Sequence, residues 1–142
     1  MDASQARSFY EECLATIYVR RQMERMTDYY ASDVISHPDI PGLPAGVAGL
    51  ERVTQGFLGS FSGLSVHFDE FTQEGGDTFR CLLRAEATHS GEFMGIAATG
   101  RRVVIVAEHR LRFHAGRIAE CWNQVDPALV QKQLSGAGSH AA

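Results

Sequence analysis

The spacing of apolar residues changes character about halfway along the chain: before Gly63 they recur every three or four positions, and after it they alternate one by one. From Ala3 to about Ile17, Phe9, Cys13, Leu14 and Ile17 share one helical face, with Ser4 as N-cap and Arg7, Glu11 and Glu12 on the wet side. The β-branched and aromatic run Thr16-Ile17-Tyr18-Val19 weakens this helix. A second helical period passes through Met23, Met26, Tyr29 and Tyr30, whose methionines read as core packing. Val34 to His37 is then a short strand stopped by Pro38, and the following Pro- and Gly-rich stretch is a loop. Leu50, Val53, Phe57, Leu58 and Phe61 predict a third helix from Gly49 to Phe61, ended by Gly63.

The second half reads as strands. Leu64 to Glu74 alternates with an irregularity near Glu70-Phe71, and Gly75-Gly76-Asp77 makes a turn. Thr78 to Thr88 sets Phe79, Cys81, Leu83, Ala85 and Ala87 on one face. The segment from His89 to Arg102 is punctuated by glycine yet carries Phe93, Met94 and Ile96, and is expected to fold over a cavity mouth or a partner subunit. The stretch Val103 to Asp126 predicts a β-hairpin turning at His114-Ala115-Gly116. Asp126-Pro127 starts a closing helix through Leu129, Val130 and Leu134, and residues 136–142 form a tail expected to be disordered after a single domain over 1–135.

Strand parity within the hairpin points to a site. Val103, Ile105, Ala107, His109, Leu111 and Phe113 share an apolar face, interrupted only by His109. Placing Glu120 beside Arg110 or Arg112 groups Ile118, Glu120 and Trp122 on the charged face and puts Asn123 on the face of His109. Two polar side chains on an apolar surface suit a pocket for a small, mostly apolar ligand, or are simply satisfied core groups. His37, at the hinge of the loop, is either a further pocket group or a turn residue. Trp122 on the charged face favours a homodimer contact.

Composition narrows the classes. A net charge of −4 with scattered basic residues speaks against nucleic acid as the main partner. The apolar runs are too short for a membrane span, and the charged start does not fit a signal peptide, so a cytoplasmic location is expected. Cys13, Cys81 and Cys121 are odd in number and lack zinc-knuckle spacing, which fits buried apolar residues. No nucleophile elbow, P-loop, dinucleotide fingerprint or H-E-x-x-H is present, and His37, His89 and His109 have no spacing that demands a metal. No cofactor and no metal are expected. Acid–base work, or binding by a few polar groups in an apolar cone, remains.

The segments HPDIPGLPAGVAGL (37–50), THSGEFMGIAATGRRV (88–103) and HRLRFHAGRIAECWNQVDPALVQKQL (109–134) resemble the SnoaL-like polyketide cyclase (ester cyclase) family, within the nuclear-transport-factor-like superfamily. The resemblance implies an α+β cone of cystatin-like type, a strongly curved antiparallel sheet with N-terminal helices packed over its concave face. It also implies intramolecular aldol closure of a polyketide ester without metal or coenzyme. Carried onto this chain, the family's pocket histidine falls on His109 and the polar residue before the proline-rich loop on His37. The acid–base aspartate falls on Asn123, which exchanges no proton at neutral pH. The expectation is therefore a small apolar carbonyl or aromatic ligand, with His109 as general base or acid, Asn123 as carbonyl or oxyanion donor and His37 as a second polar contact. Two rivals keep the fold and change the activity: a non-catalytic small-molecule binder and a hydroxylase relative that works without cofactor.

Overall fold

The computed structural model describes residues 1–135, and the tail at 136–142 lies outside the described residues. Helix α1 spans Ala3–Leu14 with Asp2 as its N-cap, and so starts two residues earlier than Ser4 as the cap would allow. The Asp2 carboxylate accepts from Gln5 N–H at 2.8 Å and the Gln5 side chain accepts from Asp2 N–H at 2.8 Å. This reciprocal box satisfies two otherwise orphaned donors, which a lone serine cannot do. The helix gives way to a π-type turn over Ala15–Val19, where the crowded β-branched run sits.

The second helical period shrinks to a 3₁₀ turn at Met23–Arg25 and a single α turn, α2, at Met26–Tyr29. Tyr30 instead opens strand β1, Tyr30–His37. Helix α3 (Val47–Ser60) runs straight into β2 (Phe61–Gly75), so Gly63 does not end the helix. It lies inside the strand at φ +60°, where the pairing slips between Ser62 and Ser65. Strands β3 (Thr78–His89), β4 (Arg102–His114) and β5 (Arg117–Val125) follow, and helix α4 (Pro127–Leu134) closes the chain with Asp126 as its N-cap.

The sheet order is β1-β5-β4-β3-β2. Strands β2 to β5 pair antiparallel as the alternating pattern predicts, but β1 lies parallel to β5, making the sheet mixed. Its inner face meets α1: Tyr10, Cys13, Leu14 and Ile17 pack against Phe79, Cys81, Leu111, Phe113, Ile118 and Cys121. Each large apolar side chain buried there contributes about 1.5–3 kcal/mol. All three cysteines are free and buried. A second cluster joins Leu58, Phe61, Ala87, Val103, Ile105, Val130 and Leu134. The Gly-rich segment before β4 covers that cluster, with Phe93 against Phe61 at 5.1 Å. No helix among the described residues is long and apolar enough to cross a membrane.

The outer face carries charge in pairs: Arg80–Glu108 at 2.6 Å, Arg84–Asp69 at 2.8 Å, Arg112–Glu120 at 3.1 Å, and Arg110 with Glu74. These half-exposed pairs set register more than stability.

Candidate functional site

The β4–β5 hairpin turns through Ala115 and Gly116, both at positive φ (50° and 78°), so only two residues separate the strands. The pairing slips once, between Arg112 and Phe113, leaving Ala119 as an extra residue in β5. That bulge reverses parity on one side of it. Ile118, which strict alternation groups with Glu120 and Trp122 outside, pairs instead with Phe113 and is fully buried. Beyond the bulge the register is regular, and His109 stands directly opposite Asn123 on β5 and Cys81 on β3.

The inner face therefore holds His109 and Asn123 side by side, as directly opposed residues of neighbouring strands must be. Helix α1 supplies a third polar group. Tyr10 Oη lies 2.7 Å from His109 Nδ1, across 99 residues of chain. Burial pushes the His109 pKa down to about 4 and, with nearby buried thiols adding to it, drives that of Tyr10 well above the ordinary phenol value. Both rings are thus neutral near pH 7. Tyr10 belongs to the same helical stripe as Cys13, Leu14 and Ile17, at three, four and seven residues' distance, so its inward position was readable in the sequence; its partner was not.

Asn123 has a different environment. Its Oδ1 is completely buried and has no hydrogen-bond partner among the described residues. The residue opens onto a cleft of about 1040 Å³ between the end of β1, the proline-rich loop, the start of α3 and the end of β5. Val34, Leu50, Val53, Ile40 and Leu43 give the cleft its apolar walls. His109 is not among the residues that line this cleft, which Asn123 reaches.

His37 is placed elsewhere. It ends β1 opposite Trp122, and its ring stacks on the indole at 5.1 Å with 10° between planes. Its Nε2 lies 2.7 Å from Glu120 Oε2, and the other carboxylate oxygen accepts from Arg112 at 3.1 Å. Those partners belong to the outer face, so His37 does not converge with His109, although it lines the rim of the same cleft. Parity within β1 carried this signal: Val34 is core, and a residue three positions on must point the other way. His89 joins neither group. It is fully buried beside Phe61, with Nδ1 accepting from Thr99 N–H at 3.1 Å. Among the described residues no cluster of three metal-ligating side chains exists.

The fold recurs in solved structures. TsrD from Streptomyces laurentii aligns over 94% of this chain and 97% of its own, with TM-score 0.81 and 21% identity. IdmH from Streptomyces antibioticus, which carries a provisional designation as a polyketide cyclase, aligns over 90% and 97% with TM-score 0.75 and 27% identity. AclR from Streptomyces galilaeus, provisionally designated a hydroxylase, aligns over 94% and 83% with TM-score 0.78 and 23% identity. No curated protein matches. The model of the SnoaL-like polyketide cyclases, however, spans residues 4–134, from the first turn of α1 to the last of α4. A match that takes in every helix and strand of the cone leaves no element unaccounted for, and this chain belongs to the SnoaL-like polyketide cyclase family.

Proposed function

We propose that the protein binds a small polyketide-type or aromatic carbonyl compound in the cleft and performs cofactor-independent acid–base chemistry of the aldol-cyclase kind on it. The observation that carries this reading is the Asn123 side chain in the cleft lining, whose buried Oδ1 has no hydrogen-bond partner among the described residues. An unsatisfied buried acceptor costs about 1–3 kcal/mol, which a ligand O–H recovers once the amide turns Oδ1 to the cleft, while a ligand carbonyl accepts from Nδ2. The amide offers an acceptor and a donor together, matching the enol of a β-dicarbonyl, which presents an O–H beside a C=O.

His109 supports the same oxygen chemistry from behind. A ring kept neutral by burial is a poor base near pH 7 and, lying outside the cleft lining, acts through Asn123, its directly opposed neighbour on β5. Tyr10 can donate to Nδ1 or accept from it, so its hydroxyl allows His109 either neutral tautomer. The three buried, free cysteines suit a reducing compartment such as the cytoplasm. Val104, Val106 and Leu129, exposed at 41%, 55% and 55%, offer a second copy an apolar contact in place of Trp122, which His37 covers.

The test uses 1-tetralone, an apolar aromatic ketone whose oxygen accepts from Asn123 Nδ2. Asn123→Leu, similar in size, should weaken its binding about 5- to 150-fold, the equivalent of one lost hydrogen bond of about 1–3 kcal/mol. Unchanged affinity would refute the role of Asn123. The absence of a carboxylate at this position also favours a second reading, a non-catalytic binder, which predicts tight binding without any exchange of the ketone's α-hydrogens in D₂O.

A further inference from the structure

Neutral His109 leaves open which group takes a proton from carbon, and the outer rim of the cleft holds a better candidate. Three elements converge there. Strand β1 brings His37, β5 brings Glu120 and Trp122, and β4 brings Arg112. The indole fixes the plane of the imidazole, and the 2.7 Å contact with Glu120 fixes its rotation. Glu120 is itself held: its side chain is only 19% exposed, and Arg112 takes the oxygen that His37 does not.

A carboxylate only accepts hydrogen bonds, so the proton between these groups belongs to His37 Nε2. In a neutral ring this leaves Nδ1 as a lone pair. The two nitrogens of an imidazole diverge, so Nδ1 points away from Glu120, and among the described residues it has no hydrogen bond. The other charged residues that line the cleft are Asp39, two residues on in the loop, and Asp33 on the same strand. The hydrogen bond from His37, which outweighs the opposing effect of burial, and after it the one from Arg112 keep the Glu120 carboxyl below its usual range. The carboxylate thus stays charged through neutral pH and can balance an imidazolium.

We propose that His37, oriented by Glu120 and stacked on Trp122, is the proton-transfer group at the rim of the cleft. Glu120 is a positioning residue. The step conserves atoms and charge: Nδ1 takes a proton from the carbon next to the bound carbonyl, and the C–H electron pair becomes the enolate. The imidazolium then returns its proton to the alkoxide formed on ring closure, or to carbon if no ring closes. This inference rests on the cleft being the ligand site.

The experiment follows α-hydrogen exchange of 1-tetralone in D₂O by proton NMR and, on the same folded samples, the tautomer of His37 by long-range ¹⁵N correlation. Wild type should show the proton on Nε2. Glu120→Ala should populate the Nδ1–H form, with Glu120→Gln intermediate because its amide oxygen still accepts. His37→Ala should lose about 10²-fold or more in exchange rate, the contribution typical of a positioned base. Glu120→Ala should lose about tenfold, as when a histidine's carboxylate partner is removed, with KM unchanged within twofold. Exchange by His37→Ala at the wild-type rate would overturn proton transfer by His37. A tautomer ratio unmoved by Glu120→Ala would overturn the positioning role. Should Asn123→Leu bind tetralone as well as wild type, the cleft reading fails instead, and should wild type bind but not exchange, proton transfer by His37 falls with the enzyme reading while the tautomer measurement still decides Glu120.

Discussion

The pH dependence of folding should carry the signature of His109. Its folded pKa is pushed down to about 4 by burial, whereas an unfolded histidine titrates near 6.5. The unfolded state therefore binds a proton that the folded state refuses, and stability falls as pH drops from about 6.5 to about 4. The full span amounts to about 3 kcal/mol, an upper bound because the ring is half-buried and keeps some solvent contact. Between pH 7 and pH 5 the loss is about 1.8 kcal/mol. For 142 residues the unfolding entropy is about 300 cal/mol/K, so the Tm should drop by about 6 °C over that interval from this one group. The assay is thermal unfolding of wild type and His109→Gln at pH 7, 6 and 5. Glutamine can keep the bond to Tyr10 and cannot titrate, so the difference between the two slopes isolates the imidazole. Asp69 and Glu120 do not blur the window: their folded pKa values are lowered, so their contributions are present above the ordinary carboxylate range and vanish only below about pH 4. Parallel Tm curves for the two proteins would refute the buried, neutral histidine.

Four further outcomes are expected. Tyr10→Phe strips His109 Nδ1 of its partner and should cost about 1–3 kcal/mol, read as a fall in Tm of about 3–10 °C. Asn123→Asp places a carboxylate on the cleft wall and should raise the rate on a ring-closing β-keto ester by about 10²–10⁴-fold; an unchanged rate would count against this position as a base site. Gly49→Ala drives a methyl into the backbone carbonyl of Pro44, so the proline-rich loop must move, and tetralone affinity and Tm should fall together. Asp126→Ala removes the cap on the Ala128 amide of α4 and should cost about 1 kcal/mol in urea unfolding, without affecting the Tyr10–His109 pair.

What could be read from the residues alone follows the range of the forces involved. A period of two is a local property, so the hairpin, the shared face of His109 and Asn123 and the salt-bridged outer face were all legible in it. Capping is local too, and Asp126 was readable, though the Asp2–Gln5 box displaced Ser4. A one-residue slip is not local: the bulge at Ala119 is set by how the hairpin settles on the core, and it carried Ile118 inward against its parity. The parallel pairing of β1 with β5 was invisible for the same reason, because no turn joins the two strands and nothing near Tyr30–His37 encodes a partner at Ile118–Trp122. His37 was legible as a candidate, but its stacking on Trp122 and its bond to Glu120 were not, since they depend on that unseen pairing.

The same pairing governs when the protein becomes functional during its manufacture. Residues 99 and 83 positions apart form the Tyr10–His109 and His37–Glu120 contacts, so each is among the last loops a growing polypeptide can close. A chain emerging from the ribosome can wind α1 and zip β2 onto β3 long before β5 exists. Until then β1 is an unpaired edge, and Ile35, itself half exposed in the finished fold, lies on it. The interval between the synthesis of β1 and of β5 is therefore when this chain is most open to aggregation and most in need of a chaperone. Under the proposed function, affinity for a ketone in the cleft should arise only after that interval, which makes it a reporter of completed folding.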